Sequence, residues 1–132
     1  GVPRRYRGQP LRRRGEQPAM WFERAGHPWS AIIEQALAGS DETAVATLDM
    51  FIDCLASEAA NLALKGITLG GIHLGGLIAP QIATALDQGR FVSRFVRPGR
   101  MRSILSEVPV TVIMDPGTAL LGAACEALGL RR

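Results

Sequence analysis

The sequence predicts an α/β fold in which parallel strands are flanked by helices and the sheet is incomplete. Two observations carry this. Apolar, β-branched runs at Ile67–Leu74 and Val108–Met114 read as strands, and each stops at a glycine-containing turn. The segments around and between them repeat apolar residues at steps of three and four, so the predicted order is helix, strand, helix, short helix, strand, helix. Two strands alone leave their edges unpaired, which implies further strands from sequence beyond this chain.

Composition sets the frame. At 132 residues and 47% hydrophobic content the chain can bury one core. Charge is unevenly divided: residues 1–30 hold seven arginines against Glu16 and Glu23, whereas residues 31–132 hold eight basic and ten acidic side chains. The net charge of +3 therefore belongs to the first segment. Residues 1–30, with Pro3, Pro10, Pro18 and Pro28, are expected to be irregular and free of helix. An arginine-rich arm with Trp21, Phe22 and Trp29 suits nucleic acid, but a solvated tail explains it more simply, and nucleic acid is not an expected partner. No charged region followed by an apolar stretch opens the chain, so neither a leader nor a membrane span is expected. Cys54 and Cys125 sit in apolar helical patterns and are read as buried, reduced thiols of a cytoplasmic protein.

From Ala31 a folded unit, residues 31–132, is expected. Ile32, Ile33, Ala36 and Leu37 predict a short helix ending near Gly39. Ser40 offers an N-cap for a long helix over Asp41–Lys65, whose buried stripe is read as Val45, Leu48, Ile52, Leu55, Ala59 and Leu62, with Gly66 as its stop. Asn61 lies near that stripe and is expected to tie the helix to a neighbouring loop. In the first strand His73 faces opposite to Ile72 and Leu74. No Cys, His and carboxylate cluster has the spacing of a metal site.

The stretch Gly70–Pro80 (GGIHLGGLIAP) reads as strand, tight turn and helix start around Gly75 and Gly76. Glycine lets a backbone approach a ligand with no Cβ in the way, and a helix start favours an anion, so this is a candidate nucleotide site. It lacks both the G-x-G-x-x-G spacing and the Gly-Lys-Ser/Thr of a phosphate loop, and from the local pattern alone a turn that needs glycine only for packing is the simpler reading. Pro80 suits a first helical position, with Ile82, Ala85 and Leu86 on the apolar face of a helix running to Gly89. Phe91, Val92 and Phe95 predict an apolar turn, and Met101, Ile104 and Leu105 one or two helical turns. Asp115-Pro116-Gly117 is a turn, Thr118 an N-cap, and Leu120, Leu121, Ala124 and Leu128 the face of a last helix ending at Gly129.

Four ordered blocks carry a resemblance. Ser57–Gly66, Gly70–Pro80, Arg90–Met101 and Val108–Gly129 are similar in order and spacing to the C-terminal part of bacterial glucokinases, members of the sugar kinase, actin and heat-shock ATPase superfamily. The likeness covers Ala31 to Leu130; Gly1–Arg7 resembles a family segment, but Gly8–Ser30 does not continue it and has the bias that misread GC-rich codons give. The resemblance implies a ribonuclease-H-like domain, ATP and Mg2+ as cofactors, and transfer of phosphate to the glucose 6-hydroxyl. It further implies that Gly75, Gly76 and Leu77 line the adenine and ribose side of the ATP pocket. Ala79 and Pro80 would open the helix behind it, and the Asp115–Gly117 loop would lie at the pocket edge.

The family's Asp-x-Gly-Gly-Thr phosphate loop, its Asn-Asp pair with the catalytic aspartate, and its Glu…Gly-His glucose segment are absent from these 132 residues. No catalytic residue, no magnesium ligand and no glucose site is therefore assigned to this chain, and glucose becomes a partner only with the rest of the kinase fold. A homodimer is compatible with the resemblance. The rivals are a non-catalytic sugar- or nucleotide-binding regulator of the same superfamily and a nucleic-acid binder acting through the basic arm.

Overall fold

The computed structural model describes residues 28–97, 99–115 and 117–129. The elements run α1 (Pro28–Ala38), α2 (Glu42–Gly66), β1 (Ile72–Leu74), α3 (Ala83–Asp87), α4 (Arg90–Phe95), α5 (Arg102–Glu107), β2 (Val110–Val112) and α6 (Thr118–Ala127). Strands β1 and β2 pair in parallel, with Ile72 opposite Val110, His73 opposite Thr111 and Leu74 opposite Val112. The α/β architecture with a two-stranded parallel sheet is thus as the sequence predicts.

Helix α2 is the centre of the fold. Its N-terminus is held by Asp41, not Ser40: Asp41 Oδ1 accepts from the Ala44 N–H at 2.8 Å. The Ser40 hydroxyl instead reaches back to the Gln35 carbonyl at 3.2 Å and to the Gln35 side chain, closing α1. The buried face also differs from the expected stripe. It consists of Ala44, Leu48, Ile52, Ala56, Ala59, Ala60 and Ala63, while Leu62 is 52% exposed and Asn61 is exposed. Apolar spacing favours the large residues, but the alanines are what allow close approach. Against α2, in one core cluster, pack α1 with Ile33 and Ala36 and α4 with Phe91 and Phe95, whose stacked rings lie 5.9 Å apart. Cys54 is exposed and Cys125 half-buried, so the expectation of buried thiols is corrected for both. Cys54 falls off the alanine-lined face of α2, and α6, which carries Cys125, buries none of its residues.

Several boundaries move. Helix α1 starts at Pro28, inside the segment expected to be irregular, because proline's fixed φ and missing N–H are harmless in a first helical turn. The rest of the arginine-rich segment lies outside the described residues. The first strand is three residues, not eight, because α2 closes on Ile67 and the chain turns through Thr68–Gly71 before pairing begins. The Gly71 N–H donates to the Thr68 carbonyl at 3.2 Å, and the Ile72 N–H then donates to the Pro109 carbonyl at 2.8 Å. Residues 77–82 form turns, so α3 begins at Ala83 and Pro80 does not open a helix. The segment expected to be an apolar turn is helix α4. The second strand is confined to Val110–Val112, and Gly117 rather than Thr118 occupies the cap of α6.

Ile67, rather than Gly66, takes the left-handed conformation at the end of α2, with φ 47° and ψ 48°. A β-branched residue is strained there, and Ile67 is 69% exposed, so it recovers little by burial. Ile67→Gly is expected to raise folding stability by about 1 kcal/mol despite glycine's extra unfolded-state entropy. A urea midpoint that falls would contradict this.

Candidate functional site

The carboxyl end of β1 opens into a hollow. Leu74 is buried, its carbonyl accepts from the Ile113 N–H at 2.8 Å, and this bond to the chain leaving β2 fixes where the next turn starts. Gly75 follows with its α-carbon close to Ile113, where a Cβ would stand 3.4 Å from Ile113 Cδ1. Gly76 has φ 103°, a conformation that side-chain-bearing residues rarely adopt. Its N–H and that of Leu77 make no hydrogen bond to another described residue. The turn is then closed by the Gln81 N–H donating to the Ile78 carbonyl at 3.0 Å and by Gln81 Nε2 donating to the Leu77 carbonyl at 2.9 Å.

The hollow measures about 420 Å³, within the range of small-molecule sites. Gly75, Gly76, Leu77 and Ala79, the four residues singled out in the sequence, all line it. Leu77 is 64% exposed at its mouth, and Ala79 is buried at its base. His73 stands at the rim, exposed, with Nδ1 2.6 Å from Thr111 Oγ1 across the strand pair. Neither Asp115 nor Gly117 lines the hollow; Asp115 Oδ1 instead accepts from the Gly117 N–H at 2.8 Å. The nearest helix start, Ala83, is seven residues past Gly76, so the anion-favouring helix end expected at the glycine pair is not there.

Sequence reading missed part of the lining. Phe51 and Leu55, one turn apart on α2, line the same hollow as the glycine turn, together with Ile78. Phe51 is an aromatic residue left 39% exposed on a helix otherwise anchored by alanines, and periodicity alone treats such a residue as surface. Phe51 and Ile78 also border a second, apolar hollow of about 130 Å³ against Trp29, Ile32 and Leu48. Among the described residues no group of three or more His, Cys, Asp or Glu side chains is placed to hold a metal ion. None of the described helices is long and apolar enough to cross a membrane.

A parallel α/β unit with a glycine turn at the carboxyl end of a strand defines a class of ligand-binding domains. The comparisons narrow it. A glucokinase family model matches residues 11–129, beginning ahead of the expected boundary at Ala31, and the chain belongs to the glucokinase family. It is 41% identical over 109 residues to a glucokinase of Trichormus variabilis, an alignment covering 83% of this chain and 32% of that protein. A glucokinase of Caulobacter sp. is 42% identical over 93 residues, covering 70% and 28%. The crystal structure of a glucokinase from an Antarctic psychrotroph superposes with a TM-score of 0.64 at 40% identity, covering 76% of this chain and 31% of that one. The chain thus spans about a third of the length of the curated relatives it matches.

Proposed function

We propose that this chain is the C-terminal part of an ATP-dependent glucokinase and that it supplies the adenosine side of the ATP site. The observation that carries this reading is that Gly75, Gly76, Leu77 and Ala79 line one hollow of nucleotide size at a strand's carboxyl end, in a chain of the glucokinase family. In this reading the bare backbone of Gly75 and Gly76 lets the ribose approach, and the N–H groups of Gly76 and Leu77 are its donors. Ala79 keeps the base of the hollow shallow. The described strands and helices then form part of a ribonuclease-H-like domain in a cytoplasmic enzyme, and homodimer formation is compatible with it.

Bound ATP would bring the phosphoryl group and Mg2+ would spread its charge, but these 132 residues hold neither in line with a sugar. Phosphoryl transfer depends on positioning and charge stabilisation, and the sequence contains neither an Asp-x-Gly-Gly-Thr phosphate loop nor an Asn-Asp pair. The purified chain is therefore expected to bind ATP without forming glucose 6-phosphate. Isothermal titration with ATP, alongside a coupled glucose 6-phosphate assay, tests both halves. Gly76→Val, which forces a β-branched residue to φ 103°, should weaken ATP binding more than tenfold. Undetectable ATP binding by the unaltered chain would overturn the adenosine role, and sugar phosphate formation would overturn the inactivity.

A further inference from the structure

The wall supplied by α2 has no role in the reading above, yet it decides what the hollow can recognise. Of the side chains lining the hollow, Phe51, Leu55, Leu74, Leu77 and Ile78 are apolar, and the polar one, His73, already has Nδ1 engaged with Thr111 Oγ1 at 2.6 Å. Among the described residues, no carboxylate, amide or hydroxyl side chain lines the hollow to read the edge of a base. What it offers is the aromatic residue Phe51, 39% exposed, lining the same hollow as a backbone turn that carries no Cβ at Gly75 and Gly76.

We propose that Phe51 is the platform on which the nucleobase stacks, with Leu55 and Ile78 as its apolar flanks, and that the site selects purines by ring area rather than by hydrogen bonds to the base edge. This rests on the nucleotide reading of the same hollow. Every base presents a π-face, so stacking tolerates changes at the base edge. A site built to hydrogen-bond an edge group rejects its analogues by several orders of magnitude, but apolar side chains do not, because they offer the edge no polar group to be left unpaired, and in this reading the Gly76 and Leu77 N–H groups are taken by the ribose. ATP and GTP should therefore bind within about tenfold of each other. UTP, with its smaller ring, should bind more weakly than either.

The test is a set of titrations of the 132-residue chain with ATP, GTP and UTP, repeated for Phe51→Leu and Phe51→Trp. Phe51→Leu keeps the apolar surface but loses the ring, and should weaken ATP and GTP alike by roughly tenfold, the loss expected for one stacked base. Phe51→Trp should restore or exceed the original affinity, and it decides the matter should Phe51→Leu fail to fold. ATP binding unchanged by Phe51→Leu, ATP binding tenfold weaker in a folded Phe51→Trp, or GTP rejected more than a hundredfold would each overturn the proposal. If the unaltered chain binds ATP and Gly76→Val abolishes that binding while Phe51→Leu does not, the nucleotide reading stands and the stacking proposal falls. If the unaltered chain binds no nucleotide, both fall.

Discussion

Truncating Ile82 to alanine is expected to remove about 3 kcal/mol of folding stability, from the 2–5 kcal/mol range for such core truncations. Ile82 is fully buried and is the largest side chain in the described core to be so. It also sits where the turn behind the glycine pair becomes helix α3: its N–H donates to the Ile78 carbonyl at 3.2 Å, and its carbonyl accepts from Leu86 at 2.9 Å. Removal of the side chain opens a cavity in the core cluster that also holds Ala79, Ala85 and Leu86. Single domains are stable by roughly 5–15 kcal/mol, so the loss is a large fraction of the whole. Ile82→Val should cost only about 1 kcal/mol. Urea unfolding checks the pair, and equal midpoints for the two variants would contradict the packing account.

The second large effect is expected at Arg90. Its guanidinium grips Asp53 with two parallel bonds, Nε to Oδ1 at 2.9 Å and Nη2 to Oδ2 at 2.7 Å, and Nη1 reaches Asp49 Oδ2 at 2.9 Å. These side chains are 15–30% exposed, so the pairing is stronger than an open surface contact and weaker than a fully buried one. Arg90→Leu takes this guanidinium away from two carboxylates four residues apart on α2, and should cost about 2 kcal/mol. Arg90→Lys keeps the charge but loses the planar fork, and should recover no more than half. Adding Asp53→Asn to Arg90→Leu should restore part of the loss. If Arg90→Leu is as stable as the unaltered chain in low salt, the clamp does not fasten α4 to α2.

The pair also shows what could be read in advance. Neither Asp49, Asp53 nor Arg90 is conspicuous in the sequence, because the partners meet across 37 to 41 residues and only the packing of α4 on α2 joins them. The long helix α2 was legible to within a residue at each end, since local spacing and a following acidic turn suffice. Its buried face was legible in part: Leu48, Ile52 and Ala59 are buried as expected, but periodicity weights Leu62, which is exposed, above the alanines that permit close packing. Helix α4 has only six residues, too few for a period to show, and reads as a turn. At the site, Gly75 and Gly76 were legible as glycines after a strand. Phe51 was not, because its part in the hollow arises from a helix and a turn more than twenty residues apart being brought together. The last helix was placed correctly, yet none of its residues is buried: spacing says which face is apolar and not what covers it.

Three residue pairs join β1 to β2, and partners such as His73 and Thr111 stand 38 positions apart in the sequence. The same short ladder sets the position of Gly75 through the bond from Ile113 to Leu74. Any molecule seated at the glycine turn therefore holds shut a loop whose closure carries a substantial entropic cost. Occupancy and strand pairing become linked equilibria, and by mass action a ligand at a hundred times its dissociation constant adds about 2.7 kcal/mol to the closed state. The one seam of the described sheet is thus also the place where binding energy would enter the fold.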